Sequence, residues 1–390
     1  MSPSPLRILT VADTPCDPNS GAAGTVYYTN QALRQLGHEV DEIWADDLGP
    51  RRIAHGNLHS LLEQPVQYLK SIEQKRDKIK YDLIIAQQPQ SYLAGAFNSF
   101  FSKQASFFVM SQGVETRITP IIKHYQKVLK TQCQQRSPVV SFGSSILQNL
   151  LAQQWFLASK FCHGFVVQHS EDKLFLMKKY RLPSNKILVC PSGIPESYLT
   201  GTIYSRSAES INKLLFVGQF AFYKGSDFLI AIISELLNQR DYLEFTWVCK
   251  KSDHNKIHKL FSPDIMRRVK LMEWQDQSSL ISVYDTHDLF IFPTIAEGFA
   301  KAPLEAMSRG MCVIASDCCG MKDYIKDQEN GYLCPVGEIK CFVNKVLSIL
   351  DNQEPLITIS RNAVIEAQKY SWEFSATTIV NFFEDTKYKN

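Results

Sequence analysis

Short apolar runs alternate with helix-length segments along almost the whole chain, and this alternation limits the folds that the chain can adopt. The chain opens with an apolar run at 6–12, passes through a glycine-containing loop into a helical segment at 25–36 that Gly37 closes, and continues with a second apolar run at 39–44. A strand, a helix and a second strand in this order form a βαβ unit, whose crossover places the two strands parallel. The sequence therefore predicts an α/β fold with doubly wound parallel sheets.

The alternation is interrupted near the middle of the chain. Prolines and a glycine at 191–195 and a polar stretch at 201–212 precede a new series of apolar runs. We expect two Rossmann-like domains that face each other across a cleft, one over 1–195 and one over 211–371, with the tail 372–390 packed back on the first. The further predicted strands are 82–86, 106–110, 164–168, 187–190, 214–217, 244–248, 269–272, 289–292 and 313–315.

Composition is that of an ordinary globular protein. Of 390 residues, 45% are apolar and 21% are charged, which is enough for two cores and excludes intrinsic disorder and a fibrous fold. Residues 1–195 carry 21 Lys and Arg against 14 Asp and Glu, whereas the whole chain has a net charge of only +3. Because the positive charge is local, a protein that coats nucleic acid is not expected.

Cysteine usage and hydropathy indicate the compartment. The ten cysteines include neither a CxxC pair nor a Cys/His run at zinc spacing, which is typical of reduced cytosolic thiols. The strand-like run almost at the N-terminus argues against a signal peptide. The uncharged stretch 137–159 contains a proline, five serines and four Asn or Gln residues, so we reject a transmembrane helix there. We expect a cytoplasmic protein that associates peripherally with the inner face of a membrane.

A segment of small residues, Ser20 to Thr25, follows the first predicted strand. Gly21 and Gly24 would let a phosphate approach backbone N–H groups at the start of a helix, where the helix dipole favours an anion. Their spacing is not the GxGxxG of dinucleotide-binding folds. A tight turn that merely packs the helix on the strand explains these glycines equally well.

A second candidate loop follows the first predicted strand of the second domain. Gly218 and Gln219 come directly after the strand, and Lys224 precedes Gly225. The lysine ammonium in this loop could neutralise a diphosphate. The competing interpretation is a solvated lysine beside a turn glycine.

The segment 293–305, with the sequence PTIAEGFAKAPLE, is the most informative part of the chain. A loop carries Glu297 and Gly298, and Pro303 suits the first turn of the helix that follows. This spacing places Glu305 in the same first turn. A carboxylate accepts two hydrogen bonds from neighbouring hydroxyl groups, as in binding a sugar or a ribose. Alternatively, Glu305 only complements the helix dipole and Glu297 is a surface acid.

These three segments resemble, in order and approximate spacing, the retaining nucleotide-sugar-dependent glycosyltransferases of family 4, which have the GT-B fold of two Rossmann-like domains. The resemblance spans nearly the whole chain, and its most specific part is the E-x7-E motif EGFAKAPLE at 297–305. Further segments similar to family patterns are 111–115, 189–194, 284–294, 310–316 and 330–333.

The resemblance implies a role for each matching residue. Glu297 would contact hydroxyl groups of the donor sugar, Glu305 would hold the nucleotide ribose, and Lys224 would hold the diphosphate. Glu297, Lys224 and Gln112 would form the catalytic set. The remaining implied contacts are the donor-binding residues Gly21, Gly24, Gly218, Gln219, Gly298, Phe299, Pro303 and Leu304 and the acceptor-side residues Glu115 and Arg117.

The implied reaction transfers a hexosyl group from a UDP- or GDP-linked sugar to a glycan or a lipid-linked acceptor, with the anomeric configuration retained. The acceptor hydroxyl attacks on the face that the nucleotide leaves, and the departing phosphate oxygen takes its proton. Catalysis then comes from placing the reactants together and from stabilising charge on the diphosphate. No Asp-x-Asp occurs in the chain, and neither a metal nor another cofactor is expected.

Three residues depart from the family pattern. Gln112 stands where many members have histidine, Gln219 where they often have arginine, and Ala300 where glycine is usual. A glutamine binds phosphate more weakly than a charged, bidentate arginine does. Donor affinity or donor identity is therefore expected to differ from the family norm.

The first domain contains a basic segment. No Asp or Glu occurs from Thr116 to Ser170, and apolar residues between 118 and 129 recur at helical spacing. The segment is either an amphipathic helix that rests on an anionic membrane or grips an anionic acceptor, or a core-packed helix with solvated lysines. Weak, salt-sensitive binding to anionic liposomes would follow from the first alternative. Its cations are Arg117, Lys123, Lys127, Lys130, Arg136 and Lys160.

Two other functions are compatible with parts of the sequence. A nicotinamide-dependent oxidoreductase fits the βαβ opening and the acids Asp41 and Glu42, but the glycine spacing and the nucleotide-type signals of the second domain disfavour it. A nucleotide- or carbohydrate-binding protein without transferase activity fits Gln112 and Gln219. Binding of a nucleoside diphosphate tests the first alternative, and slow hydrolysis of a donor sugar tests the second.

Overall fold

The computed structural model describes residues 4–102, 105–129, 138–201 and 211–387. The chain divides into two compact units. Unit 1 comprises Met1–Arg117, Lys130–Gly193 and Trp372–Asn390, and unit 2 comprises Ile118–Leu129 and Ile194–Ser371. The ranges expected from sequence, 1–195 and 211–371, differ from this division at 118–129 and at 194–195, which belong to unit 2.

Unit 1 contains a six-stranded parallel sheet. Its strands are β1 Arg7–Val11, β2 Glu39–Ile43, β3 Leu83–Gln87, β4 Ser106–Ser111, β5 Gly164–Val167 and β6 Ile187–Val189. They are ordered β2-β1-β3-β4-β5-β6, and every pair is parallel. The chain order reverses at β1, and in open α/β sheets ligands bind beyond the carboxyl ends of the strands at such a switch point.

Unit 2 contains a second six-stranded parallel sheet. Its strands are β7 Lys213–Val217, β8 Glu244–Val248, β9 Val269–Met272, β10 Leu289–Phe292, β11 Cys312–Ser316 and β12 Tyr332–Cys334. The order β12-β11-β10-β7-β8-β9 is that of a dinucleotide-binding sheet. Its switch point lies between β7 and β10, where Leu214 pairs with Leu289.

Helices connect the strands in both units. The α-helices of the described residues are α1 Gly21–Gln35, α2 Gly56–Leu58, α3 Gln64–Arg76, α4 Tyr92–Phe97, α5 Glu115–Val128, α6 Pro138–Phe161, α7 Ser170–Tyr180, α8 Glu196–Leu199, α9 Ser226–Gln239, α10 Lys251–His258, α11 Pro263–Met266, α12 Gln277–Asp285, α13 Lys301–Ser308, α14 Met321–Tyr324, α15 Ile339–Asp351, α16 Leu356–Ala367 and α17 Trp372–Lys387. None of these helices is long and apolar enough to cross a membrane.

The predicted α/β class with two doubly wound parallel sheets is confirmed, and each predicted strand is present with its ends within one residue of the prediction. Strand β12, Tyr332–Cys334, was not predicted. The prediction that 21–24 is a loop before a helix is wrong. Helix α1 begins at Gly21, because Ser20 is extended and its carbonyl accepts the Gly24 N–H at 3.0 Å, so these small residues form the first turn.

Aromatic packing fixes the loop after β7 in unit 2. The ring of Phe216 lies 5.3 Å from Trp247 and 5.6 Å from Phe292, and all three are buried. The indole N–H of Trp247 donates to the carbonyl of Gly218 at 3.0 Å, which satisfies the one polar group of this side chain. Each buried ring contributes roughly 2–3 kcal/mol to folding. The carboxyl end of β7 is therefore held rigidly.

Helix α17 is part of unit 1. The Trp372 ring stacks on Tyr28 of α1, with 5.5 Å between the centroids. The hydroxyl of Ser375 donates to the carbonyl of Pro191 at 2.9 Å, and the Cys190 thiol donates to the carbonyl of Ser375 at 3.5 Å. The last helix thereby covers the segment that follows β6.

Helix α5 begins in unit 1 and from residue 118 onward belongs to unit 2. The Tyr125 hydroxyl donates to the carbonyl of Val336 at 3.1 Å, and its ring lies 6.2 Å from Phe228. Ile121 and Leu129 pack against the same core. The apolar face that the sequence placed on a membrane or an acceptor is therefore used for packing, which favours the core-packed alternative.

Three of the six cations of the basic segment are exposed. Lys123 and Lys127 are exposed on α5, and Lys160 is exposed near the end of α6. Lys130 and Arg136 lie outside the described residues.

Candidate functional site

The loops after β7 and β10, the two strands at the switch point of unit 2, are joined to each other. The carbonyl of Tyr223 accepts hydrogen bonds from the Thr294 hydroxyl at 3.0 Å and from the Ile295 N–H at 2.9 Å. Gly225 has φ +73°, and a Cβ there would overlap the carbonyl oxygen of Pro293. Only glycine fits this position, so Gly225 is required for the close approach of the two loops.

This junction brings Lys224 and Glu297 together. Nζ of Lys224 lies 2.5 Å from Oε1 of Glu297, and the two side chains are 20% and 9% exposed. The ammonium also lies 5.6 Å and 5.8 Å from the ring centroids of Tyr223 and Phe292. An ammonium has three donors, and the ion pair with Glu297 uses one. The sequence-based alternative of a solvated lysine and a surface acid is therefore wrong.

Two further contacts orient Glu297. The Thr294 hydroxyl oxygen lies 3.3 Å from Oε1 of Glu297, and the backbone N–H of Glu297 donates to Sγ of Cys319 at 3.2 Å. Cys319 is fully buried and has φ +55°, a conformation that is uncommon outside glycine. Thr294 thus contacts the carboxylate of Glu297, and Cys319 holds its backbone.

Glu305 is a half-buried residue of α13. Because the helix begins at Lys301, Glu305 is its fifth residue, and the expectation that it lies in the first turn is wrong. The Tyr284 hydroxyl donates to Oε2 of Glu305 at 2.9 Å. Burial raises the pKa of Glu305, although Lys301 and Tyr284 oppose this shift, and burial lowers the pKa of Lys301. A desolvated, hydrogen-bonded carboxylate one turn inside the helix is not a dipole-capping acid.

The other predicted donor contacts of unit 2 have visible structural roles. A Cβ at Gly218 would lie 2.6 Å from the Phe216 ring, so glycine is needed there for packing. The Phe299 ring packs 5.6 Å from Tyr324. Pro303 and Leu304 are buried in α13, Gly298 is half-buried, and Gln219 is exposed with its amide oxygen accepting the Tyr223 hydroxyl at 3.2 Å. Their contacts with a donor remain predictions.

In unit 1, Gln112 belongs to a row of polar side chains along the carboxyl ends of β3 to β6. Its amide donates to Oε1 of Gln87 at 3.3 Å, and Gln168 donates to Oε1 of Gln112 at 2.5 Å. Gln168 also donates to the hydroxyl of Ser192 at 2.8 Å. The Ser192 hydroxyl in turn lies 3.3 Å from the Thr25 hydroxyl in α1. The side-chain amide of Gln112 is thus oriented by Gln87, at the end of β3, and by Gln168, which follows β5.

The two glycines of α1 differ in their surroundings. A Cβ at Gly24 would lie 2.6 Å from the carbonyl oxygen of Pro18, whereas a Cβ at Gly21 would meet nothing within 4 Å. Gly24 is therefore required for the turn before the helix. Gly21 is exposed at the helix N-terminus, and packing does not account for it.

Glu115 and Arg117 lie in the first turn of α5. The pKa of Glu115 is raised by desolvation and by the nearby charge of Asp13. Arg117 is buried, and its guanidinium donates to Asp172 at 2.5 Å and to Glu171 at 3.1 Å. Arg117 therefore fixes the segment after β4 that carries Gln112, and its acceptor contact stays a prediction.

Sequence reasoning missed several residues of these clusters. Tyr284, Thr294 and Cys319 contact the predicted acids, and Gln87 and Gln168 contact Gln112. The signal that could have found most of them is position, because Gln87 and Gln168 come at the carboxyl ends of predicted parallel strands. Among the described residues, no group of three or more His, Cys, Asp or Glu could hold a metal ion.

Comparison with known proteins identifies the part of the chain that carries Lys224, Glu297 and Glu305. Residues 211–352 match the family model of glycosyl transferases group 1. We call these 142 of the chain's 390 residues the group 1 domain, after the family model that they match. The group 1 domain coincides with most of unit 2 and with the whole of its sheet.

Curated relatives are distant and match part of the chain. The chain is similar to a D-inositol 3-phosphate glycosyltransferase of Corynebacterium aurimucosum, with 25% identity over 56% of each protein. It is also similar to the UDP-Gal:alpha-D-GlcNAc-diphosphoundecaprenol alpha-1,3-galactosyltransferase of Escherichia coli, with 23% identity over 52% of this chain and 56% of that protein. The chain thus spans little more than half the length of these relatives.

The fold of the whole chain has solved counterparts. The sucrose-phosphate synthase of Thermosynechococcus elongatus matches with a TM-score of 0.75 and 17% identity, over 98% of this chain and 100% of that one. Together with the group 1 domain, this likeness confirms the predicted GT-B fold of two doubly wound sheets.

Proposed function

We propose that the chain transfers a hexosyl group from a nucleotide-sugar donor to a glycan or a lipid-linked acceptor, with the anomeric configuration retained. The group 1 domain and the names of the similar proteins support a glycosyltransferase. The observation that carries the proposal is the ion pair of Lys224 with Glu297 at the switch point of unit 2. Ligands of open α/β sheets bind at this place.

The two side chains suit the two parts of a nucleotide sugar. Glu297 has a buried carboxylate that can accept hydrogen bonds from neighbouring sugar hydroxyls. Lys224 has two donors beyond its bond to Glu297, and these can bind diphosphate oxygens. A half-buried ammonium interacts more strongly with an anion than a solvated one does, because water screens it less. Glu305, held by Tyr284, would accept the ribose hydroxyls.

In the proposed reaction the oxygen of the acceptor hydroxyl bonds to the anomeric carbon while the bond from that carbon to the diphosphate oxygen breaks. The electron pair of the broken bond goes to the diphosphate, and the acceptor proton passes to the departing oxygen. Lys224 stabilises the charge that develops there, as preorganised donors do in transition states. Attack and departure on one face retain the configuration.

Substrate identity is proposed at the level of class. The Escherichia coli relative is named for a UDP-galactose donor and a lipid-linked acceptor, which supports a UDP- or GDP-linked hexose and an acceptor of either predicted type. No metal enters the proposed steps. Gln112 and Gln219 offer neutral amides where histidine and arginine, respectively, are common in the resembled family. Because Gln219 lacks the charge of arginine, weaker donor binding is part of the proposal.

The competing functions are a binding protein without turnover and a nicotinamide-dependent oxidoreductase. The polar row around Gln112 provides oriented hydrogen-bond groups that suit either a binding site or an active site, so only a turnover measurement separates these two functions. Asn30 and Trp44 donate to Glu42 at 3.1 Å and 2.8 Å, and Tyr81 donates to Asp41 at 2.6 Å. These acids have structural partners, which disfavours their use for a nicotinamide ribose.

A donor screen with matched variants tests the proposal. UDP- and GDP-linked hexoses are incubated with the whole chain, and release of the nucleoside diphosphate is measured. Glu297→Ala should abolish release, whereas Glu273→Ala should not, because Glu273 forms an exposed ion pair with Lys251 at 2.6 Å in the same unit. Unchanged release by Glu297→Ala removes this residue from the mechanism. Binding of a nucleoside diphosphate without release from any donor would leave only a binding protein.

A further inference from the structure

A cavity lies along the outer edge of the unit 1 sheet. Strand β6 stands at the end of the strand order, so its outer side faces this cavity and not another strand of the described sheet. The cavity has a volume of about 280 Å³ and is lined by β6, the turn before it, α7 and the end of α17. Sites for small molecules usually have about 300–1,000 Å³, so this one suits a small ligand. We call it the edge cavity.

Two lysines supply the positive charge of the edge cavity. Lys173 of α7 and Lys186, just before β6, line it, and both are half-buried. Neither lysine forms an ion pair with a residue that the structure describes. A partly desolvated ammonium without a counter-ion is unfavourable, and a bound anion offsets this cost. The two lysines therefore point to an anionic ligand.

The acids close to the lysines in sequence have other partners. No Asp or Glu occurs from 173 to 195. The two acids at the start of α7, Glu171 and Asp172, both pair with Arg117. The charge of the two lysines is therefore not compensated from their own segment.

Helix α17 contributes one acid to the lining. Asp385 lines the edge cavity, is exposed and pairs with no cation among the described residues. Burial lowers the pKa of His38 and the charge of Glu384 opposes this shift, so Glu384 lies on the side of α17 that faces His38. Glu373 lies at the other end of the helix. A carboxylate beside two lysines suits a ligand that carries hydroxyl groups as well as negative charge.

Neutral donors complete the lining. The Phe107 N–H donates to Nδ1 of His163 at 3.0 Å, so a neutral ring carries its proton on Nε2, where it can be donated. Burial and the charge of Lys186 lower the pKa of His163, which keeps the ring neutral at pH 7. Ser184 and Asn185 add an exposed hydroxyl and an exposed amide. Ammonium groups together with such donors are the usual partners of a phosphate.

We propose that the edge cavity binds a soluble sugar phosphate. A phosphate monoester carries a charge of about −1.5 to −2 at pH 7, which the two lysines match. The sugar hydroxyls would donate to the carboxylate of Asp385. The proposal does not depend on the proposed function, because Lys224 and Glu297 belong to unit 2 and the edge cavity belongs to unit 1.

Calorimetric titration of the whole chain in a buffer without phosphate tests the edge cavity. The probes are glucose 6-phosphate, inorganic phosphate and glucose. The variants are K173Q/K186Q, D385N and the control K178Q/K179Q, which removes two exposed lysines of α7 that do not line the cavity. Each titration is repeated in Lys224→Ala, because Lys224 of unit 2 can also bind phosphate. Thermal unfolding checks that each variant folds.

We expect glucose 6-phosphate to bind more tightly than inorganic phosphate, and glucose not to bind. K173Q/K186Q should weaken the binding of both phosphates about tenfold or more, because two charge-assisted contacts are lost. K178Q/K179Q should bind within about twofold of the parent. D385N should weaken glucose 6-phosphate but not inorganic phosphate, because only the sugar uses the carboxylate.

Each contrary result overturns the proposal. If glucose 6-phosphate does not bind, the site is absent. Equal losses in K173Q/K186Q and K178Q/K179Q would mean that diffuse surface charge attracts the anion. Inorganic phosphate that binds as tightly as glucose 6-phosphate would remove the sugar from the ligand, as would an unchanged affinity in D385N. Binding that disappears in Lys224→Ala belongs to unit 2.

The proposed function is measured separately, as release of the nucleoside diphosphate from a donor sugar. Absent release with intact binding that depends on Lys173 and Lys186 contradicts the proposed function and leaves the edge cavity in place. Normal release without such binding contradicts the edge cavity alone.

Discussion

The backbone N–H of Glu297 donates to the thiol sulfur of Cys319 across 3.2 Å. Cys319 follows β11 and adopts φ +55°, so a side chain is retained at a position whose backbone favours glycine. The left-handed conformation costs roughly 1–2 kcal/mol for a residue with a Cβ. The sulfur accepts a hydrogen bond that glycine could not accept, and this bond holds the loop that carries Glu297.

Replacing Cys319 should separate activity from stability. Cys319→Gly relieves the backbone strain but removes the acceptor of the Glu297 N–H, a bond worth about 0.5–1.5 kcal/mol. We expect turnover to fall about three- to tenfold, with little change in the melting temperature. Cys319→Ser restores an acceptor and should recover part of the turnover, whereas Cys341→Ala, a cysteine of α15, should change neither quantity. Parent-like turnover in Cys319→Gly would show that the sulfur only fills space.

Lys224 should contribute to the reaction as well as to folding. In Lys224→Ala the diphosphate loses a charged donor, so kcat/KM for the donor should fall about a hundredfold. The paired carboxylate of Glu297 then lacks its cation, which should lower the free energy of unfolding by about 1–3 kcal/mol. Lys251→Ala, in the exposed pair with Glu273, is the matched control and should leave both quantities within error. A change in stability without a change in kcat/KM would make the pair structural.

Glu305 should show a trade-off between stability and binding. Because its pKa is raised in the folded state, the stabilising contribution is present at low pH and is lost as the pH rises and the buried carboxyl ionises. Glu305→Gln keeps the neutral form at every pH, so it should unfold at a higher temperature than the parent at neutral pH and at the same temperature in acid. Nucleoside diphosphate binding should weaken about tenfold, because the amide is a poorer acceptor.

Substitution of Tyr284 tests the protonation of Glu305 through its hydrogen-bond donor. Its hydroxyl stabilises the ionised form of Glu305, so Tyr284→Phe should raise the pKa of Glu305 further. The loss of nucleoside diphosphate affinity on acidification should then begin at a higher pH than in the parent. Calorimetric titration across pH measures this shift. An unshifted profile would mean that Glu305 does not titrate with binding.

The sequence predicted the sheets well because their signal is local. Buried parallel strands are continuous apolar runs, and Leu289 to Phe292 or Phe107 to Val109 can be recognised without knowing their neighbours. The same holds for Glu297 and Lys224, which lie in the loops that follow such runs. Positions fixed by neighbours distant in sequence could not be predicted. Cys319 contacts the site only because β11 lies beside β10.

The start of α13 and the packing partner of α5 also could not be predicted from the sequence. The register of α13 moved Glu305 out of the first turn, because Ala300 is the extended cap and Lys301 already helical. The apolar spacing of α5 indicated an amphipathic helix, and periodicity alone does not say whether protein or lipid covers an apolar face. The hydrogen bond of Tyr125 to Val336, 211 residues later in the chain, shows that protein covers this face of α5.

Arg117 offers a test between a structural role and an acceptor contact. Burial would raise the pKa of Asp172, but hydrogen bonding and charge from His169 and Arg117 outweigh it and hold the pKa below its usual value. Removing the guanidinium leaves a fully buried carboxylate without one of the two side chains that hold its pKa low. Arg117→Met should therefore lower the free energy of unfolding by about 3–5 kcal/mol. An unchanged melting temperature with a raised acceptor KM would favour the acceptor contact.

The stability that Asp172 contributes has a defined pH window. A lowered carboxyl pKa means that the contribution is fully present above the unfolded-state pKa and is lost as the pH falls through the folded-state value. The parent should consequently lose stability steeply only at strongly acidic pH. In Arg117→Met the loss should begin at higher pH, which thermal unfolding across a pH series would measure.

Gly21 and Gly24 should respond oppositely to the same substitution. Gly24→Ala places a Cβ 2.6 Å from the Pro18 carbonyl and should cost about 1–3 kcal/mol of stability. Gly21→Ala meets nothing within 4 Å and should stabilise α1 by about 0.5–1 kcal/mol. If a donor phosphate approaches the N-terminus of α1, the added methyl group should nevertheless raise the donor KM several-fold. A more stable Gly21→Ala variant with parent-like KM would exclude the phosphate contact while leaving the fold and the unit 2 site intact.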